Sequence, residues 1–241
     1  NVEPFYKKTK LVEEKLNAII KKGVSASMLC LYAMNQIKFF ETYVLGLKEE
    51  IIEETIASST IGNIVHDSLE LIYKDYVGKR LKIGDFKRMK DKINTIVQSI
   101  IRNYVREENI YKGKNIIIVE TVKEYVKKVI ELDQKTIEKG NGLKIIAVER
   151  EFENEIRDKG KKFKIRGKID RIDELNGELR VIDYKSGKKL TQRNIAIKDS
   201  EELTKEKGIY NLQLLVYMLG IKEELKEKTI KSGIINLKNI S

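Results

Sequence analysis

Apolar positions recur at helical spacing through roughly the first 140 residues, and beyond that point they alternate. Leu11, Leu16, Ile19 and Ile20 mark the face of a first helix. Ser25 and Ser27 offer caps for a second, over 28–45, closed by Gly46. A third is predicted from the Ser58-Ser59-Thr60 cluster to Gly78, a fourth over 85–108, and a fifth over 115–139, stopped by Gly140-Asn141-Gly142. Pro4 is the only proline, so none of these helices is broken by one.

Three strand-like stretches follow, over 143–156, 163–173 and 178–184, rich in β-branched residues. Asn176-Gly177 between the last two is a strong hairpin signal. A helix over 208–219 and a strand over 229–237 complete the chain. Helices, a meander, then a helix and a strand predict an α/β fold with a mixed sheet behind a helical N-terminal half.

The hairpin carries the first chemistry. If Asn176-Gly177 is a two-residue turn, Leu175 pairs with Glu178 and Asp170 falls opposite Asp183. Opposed residues share a face with Cβ atoms ~4.5–5.5 Å apart, and like charges there repel. Lys185 lies two residues beyond Asp183 and shares the face. A divalent cation would offset the repulsion, since Mg²⁺ is typically held by one or two carboxylates with phosphate oxygens. Two carboxylates, a cation and a lysine make a phosphodiester hydrolysis site. The plainer alternative is a solvated hairpin face with a salt-bridged lysine.

Composition narrows the class. The 241 residues are 41% hydrophobic, enough for a core, and 48 Lys and Arg against 37 Asp and Glu give a net charge of +11. That balance favours a polyanionic partner, nucleic acid before an anionic membrane, unless the lysines serve only solubility. The single cysteine, Cys30, excludes an internal disulfide and any Cys-based zinc or iron–sulfur cage, as expected of a cytoplasmic protein. No apolar run is long enough to span a bilayer and the first ten residues are polar, unlike a signal peptide. Position 1 is Asn, so the chain reads as a piece of a longer protein.

Arg166-Gly-Lys-Ile-Asp-Arg-Ile-Asp173, followed by Val181-Ile-Asp-Tyr-Lys-Ser-Gly187, resembles the two signature strands of the RecB-type branch of the PD-(D/E)XK nucleases. Gly62-Asn-Ile-Val-His66 resembles the branch's G-x-x-x-H helix, and Gln213-Leu-Leu-Val-Tyr217 its Q-h-x-x-Y helix. Ser25-Ala-Ser-Met-Leu29, with Tyr32, Phe39, Phe40 and Tyr43, resembles the helix that opens such domains. Within the branch the chain is similar to the C-terminal nuclease domain of AddB-like helicase–nuclease subunits. The resemblance implies a restriction-endonuclease-like domain over 25–241, preceded by a helical or linker segment over 1–24.

It also implies roles. Asp170, Asp183 and His66 correspond to metal ligands for Mg²⁺ or Mn²⁺, and Lys185 to the catalytic lysine. Glu149 corresponds to a supporting acidic position, with Glu151 on the same strand face as its competitor. Gln213, Tyr217 and Tyr184 correspond to DNA-binding or supporting positions. Each has a bland alternative: a lone His on a helix is commonly a packed residue, and Gln213 and Tyr217 lie beside Leu214, Leu215 and Met218 on what could be a core face. Many relatives have Cys-Pro where this chain has Asn35-Gln36, and AddB-like relatives often carry a four-cysteine iron–sulfur cluster, so the chain is expected to lack that cluster. Ile169 precedes Asp170 where other branches have Pro. The expected activity is metal-dependent hydrolysis of DNA, a single strand or duplex end, alongside a helicase subunit or helicase-like region. The rival is a catalytically silent DNA-binding or scaffolding module of a repair complex.

Overall fold

The computed structural model describes residues 9–47, 58–158, 160–187, 190, 199–223 and 229–240. The chain forms two compact units: residues 1–50, 151–168 and 191–227 in the first, 51–150, 169–190 and 228–241 in the second. The sheet is mixed, as expected. Its strand order is β1-β3-β4-β5, with β2 pairing β3, where β1 is Val24–Ser25, β2 Leu143–Asp158, β3 Lys161–Leu175, β4 Glu178–Lys185 and β5 Ile230–Asn236.

The first unit opens with helix α1 (Lys10–Lys22), capped by Thr9 and ended at Gly23. Val24 and Ser25 pair in parallel with Ile165 and Arg166, a two-residue strand too short to leave a period in the sequence. Ser25 then caps α2 (Ala26–Met34) by accepting from Met28 N. The single helix predicted over 28–45 is not observed. Asn35 leaves helical space at φ −153° and uses its side chain to cap α3 (Gln36–Phe39). A π-helical turn, Phe40–Leu45, follows and ends at Gly46, whose φ of 73° suits glycine. The last helix of this unit, here α8, covers Ile209–Ile221. Phe152 packs edge-on against Tyr217 of α8 and against two glycines. A Cβ at Gly167 or Gly220 would lie 2.8 or 2.3 Å from the Phe152 ring, so both positions are kept bare by packing.

The second unit holds α4 (Ser58–Lys74), α5 (Ile83–Ile101), α6 (Glu107–Ile110) and α7 (Lys114–Glu138). Their apolar faces share one core, including Ile64, Leu69, Phe86, Met89, Val122, Val126 and Ile130, with Ile182 and Tyr184 from the sheet. Helix α5 stops at Ile101, short of the predicted 108. The amides of Asn103, Tyr104 and Val105 fold back on Ile100 and Ile101, and Tyr104 Oη donates to Asp67 of α4 at 2.7 Å.

The β3–β4 hairpin has the predicted register, from Leu175↔Glu178 to Arg171↔Ile182. Asn176 and Gly177 both have positive φ, 53° and 88°, as a two-residue primed turn needs. Asn176 also bonds through its backbone and side chain to Gly142 and Asn141, pinning the hairpin tip to the turn after α7. β5 adds in parallel to β4, from Leu179↔Ile230 to Lys185↔Asn236.

Candidate metal centre

Asp170 sits one residue past the last antiparallel pair of the hairpin. There its side chain takes over: Tyr184 N donates to Asp170 Oδ2 at 2.7 Å, which anchors the carboxylate. Its other oxygen, Oδ1, lies 3.3 Å from His66 Nδ1.

His66 comes from the middle of α4, one turn after Gly62. A Cβ on Gly62 would come within 3.0 Å of Ser186 Oγ, so the bare glycine lets this helix approach the end of β4. His66 Nε2 is 3.2 Å from Tyr184 O. A carbonyl only accepts, so Nε2 carries a proton and Nδ1 is the nitrogen turned to the carboxylates.

Glu149 supplies the third group. Its Oε1 lies 3.6 Å from His66 Nδ1. Glu149 has φ 46° inside β2, a rare conformation for a non-glycine residue and one that breaks strict alternation there. Glu151, its sequence competitor, is exposed and instead lines a cavity of about 640 Å³ in the first unit with Ser25, Arg166 and Lys168.

Among the described residues, His66, Glu149 and Asp170 are the group whose donor atoms all lie within 4.8 Å of one another. One imidazole and two carboxylates suit a divalent cation. His66 Nδ1 lies 3.3 Å from Asp170 and 3.6 Å from Glu149, close enough for these residues to share one cation. Burial alone would pull the His66 imidazolium down, but Asp170 and Glu149 more than reverse it, to about 10. A cation would take the place of that proton.

Asp183 is almost fully buried and borders this cluster. Burial, then the charge of Asp170, pushes its carboxyl up to about 6, against the opposing pull of Lys185. Lys185 Nζ stands 2.8 Å from Asp183 Oδ2. The three-residue cluster is thus His66, Glu149 and Asp170, while Asp183, expected as a ligand, lies outside that 4.8 Å set and pairs with Lys185.

The remaining predicted residues divide by burial. Tyr184 is buried, edge-on to His66, with its hydroxyl 3.5 Å from Arg171. It supports the centre from inside the core rather than from a DNA-facing surface. Gln213 and Tyr217 belong to the first unit, where Gln213 Nε2 donates to Tyr217 Oη at 2.6 Å and Tyr217 is buried.

The opposite face of the hairpin carries a network that sequence reasoning missed. Arg171, fully buried, makes two bonds to Asp133 of α7, 2.7 and 3.2 Å, and one ion pair to Asp173 at 2.7 Å. Tyr73 Oη donates to Asp133 at 2.5 Å beneath the same guanidinium, and Arg180 grips Asp173 at 2.7 and 3.0 Å. The available signal was an arginine inside an apolar strand, which must find buried acids; nothing in the sequence marked Asp133 as one of them.

Over residues 23–241 the sequence matches the PD-(D/E)XK nuclease superfamily. The chain belongs to that superfamily. The mixed sheet behind a helical N-terminal half is its restriction-endonuclease-like architecture. Among curated proteins it is similar to the AddB subunit of the ATP-dependent helicase/deoxyribonuclease of Clostridium perfringens (strain SM101 / Type A), 29% identical over 255 residues, covering 95% of this chain and 20% of that protein. The protein of the same name from Clostridium tetani is 26% identical over 237 residues, 88% of this chain and 18% of that protein. The one from Streptococcus equi subsp. zooepidemicus is 29% identical over 166 residues, 68% of this chain and 14% of that protein. The chain therefore spans about a fifth of the length of these relatives. No described helix is long and apolar enough to cross a membrane.

Proposed function

We propose that this domain is a divalent-metal-dependent deoxyribonuclease that hydrolyses phosphodiester bonds. One observation carries the reading: in a member of a nuclease superfamily, an imidazole and two carboxylates meet within 4.8 Å, and buried Asp183 nearby pairs with half-buried Lys185. His66, Asp170 and Asp183 are the residues that would hold Mg²⁺ or Mn²⁺, with Glu149 completing the donor set. The bound cation would supply positive charge that polarises a phosphoryl oxygen and acidifies water. Lys185 positions the attacking water and steadies charge developing on the phosphate. Water adds to phosphorus, the bridging P–O bond breaks, and the leaving oxygen takes a proton. The Tyr184 amide and carbonyl hold Asp170 and His66 in place for these steps.

The relatives' name pairs a helicase with a deoxyribonuclease. We extend that to this chain: its substrate is a DNA single strand or duplex end, delivered by a helicase subunit or an adjoining helicase region in the cytoplasm, and no iron–sulfur cluster is involved. Residues 25–241 form the nuclease domain. Labelled linear and circular DNA incubated with the protein in Mg²⁺, Mn²⁺ or EDTA tests it. Cleavage is expected only with a cation; undiminished cleavage in EDTA, or DNA binding without any cleavage, overturns it.

A further inference from the structure

Nearly half of the chain's net charge of +11 lies in 19 consecutive residues. Positions 74–92 carry eight Lys or Arg against three Asp, a net +5. The fold sets five of the eight basic residues, with Asp75 and Asp85, around one cleft in the second unit. Helix α4 ends at Lys74, the chain turns, and α5 departs from Ile83. Between them lies a cavity of about 500 Å³ whose walls include Lys79, Arg80, Lys82, Arg88 and Lys92.

Only part of that charge is balanced. Lys92 Nζ lies 2.8 Å from Asp75 Oδ2, and Arg88 Nη2 lies 2.5 Å from Asp85 Oδ1. Lys79 Nζ donates to the Asp75 carbonyl at 2.7 Å, a contact that leaves its charge intact. The Lys82 amide donates to Asp85 Oδ2, but neither the Lys82 ammonium nor the Arg80 guanidinium forms an ion pair with a carboxylate among the described residues.

The wall is also held in place. Gly78 N donates to Ile145 O, Ile145 N to Lys79 O and Leu81 N to Leu143 O, at 2.8 to 3.1 Å, so this turn is laced to β2. The Arg80 guanidinium lies directly over Gly142, where a Cβ would stand 2.6 Å from Nη2. A guanidinium held in place beside ammonium groups is an arrangement that suits phosphate oxygens.

We infer that this cleft is a secondary subsite for the phosphodiester backbone of a DNA strand, away from the bond being cut. The inference rests on the nuclease reading above. His66 precedes Lys74, the last residue of α4, by eight residues, a rise of ~12 Å. At ~3.4 Å per nucleotide that is about four nucleotides from the metal centre. A strand that reaches the cleft gains contacts that a tetranucleotide lacks.

The test compares the wild-type chain with Arg80→Gln/Lys82→Gln. Binding of a labelled 30-nucleotide single strand and of a tetranucleotide is measured in EDTA across a salt series, and cleavage of both in Mn²⁺. The variant is expected to bind the long strand roughly tenfold more weakly at low salt, with a salt slope shallower by about 1.4, two contacts at ~0.7 each. Tetranucleotide binding and cleavage should not change. Unchanged affinity and slope for the long strand overturn the subsite. So does tripolyphosphate that binds tightly at Arg80 and Lys82 while the long strand is unaffected, which would make this a small-polyphosphate site. If the double variant melts well below wild type, Lys79→Gln/Lys82→Gln, which leaves Arg80 on Gly142, decides by the same measures. Failure of the nuclease reading is distinct: there the wild-type chain itself does not cut DNA.

Discussion

Asp170 accepts a 2.7 Å hydrogen bond from the Tyr184 amide on one oxygen and faces His66 Nδ1 at 3.3 Å on the other. One carboxylate therefore ties the end of β4 to a helix, and its two oxygens have separable tasks. Asp170→Asn keeps an acceptor for the Tyr184 amide but loses the charge. Asp170→Ala leaves a buried amide unpaired, at a cost of ~1–3 kcal/mol. Thermal melts in EDTA are expected to rank Asp170→Ala below Asp170→Asn, while both lose cleavage by orders of magnitude. Equal melting of the two variants would mean that the amide contact is not structural.

The Asp183 carboxyl is raised from 3.8 to about 6 by burial and by Asp170. The folded state thus binds more protons there than the unfolded chain between these values. Its contribution to stability is full below about pH 4 and is lost as pH rises through about 6. Asp183→Ala removes that loss. Cross-strand pair terms are ~0.2–1 kcal/mol, so in EDTA at pH 7 the variant should be as stable as wild type or slightly more so. With Mn²⁺ the order should reverse, because only wild type gains from bound cation. Cleavage should nearly vanish. A variant that unfolds in EDTA would show Asp183 to be structural, and one that cuts normally would remove it from the site.

In the metal-free protein His66 holds its proton up to about pH 10. Since this value lies above the ordinary 6.5, the imidazolium contributes stability that is present below pH 6.5 and lost as pH rises toward 10. A cation must displace that proton, so apparent Mn²⁺ affinity should rise by up to about tenfold per pH unit between 7 and 9. His66→Ala should bind more weakly and with a flatter pH profile. Calorimetric titration in buffers of different ionisation enthalpy counts the released proton; no release would place His66 outside the ligand set.

The hairpin was readable because it depends on local rules. Asn176-Gly177 sets a two-residue turn, and counting outward places Asp170, Asp183 and Lys185 together. His66 and Glu149 needed the family resemblance, since 83 positions separate them in the chain and only folding joins them. The positive φ of Glu149, 46°, has no signature in a Glu between Val148 and Arg150. The continuous helix expected over 28–45 failed at Asn35, whose side chain caps a new helix more favourably than its backbone extends the old one.

Beneath the site, Arg171 is wholly buried between Asp133 and Asp173. Removing one partner of such a pair leaves a buried charge uncompensated, at ~3–5 kcal/mol. Asp133→Leu should therefore lower the melting temperature far more than Asp183→Ala, though it lies on the face away from the reacting bond. Chemical denaturation of both variants in EDTA checks the ranking; a mild Asp133→Leu would mean that Asp173 alone suffices for Arg171.

The most direct measurement is Mn²⁺ binding followed by electron paramagnetic resonance, with cleavage of a linear DNA read on the same samples of wild type and Asp170→Asn. Wild type should take up Mn²⁺ saturably and cut DNA in proportion to occupancy, and the variant, still folded, should lose both. A folded Asp170→Asn that binds Mn²⁺ and cuts as wild type does would contradict the placement of the metal centre.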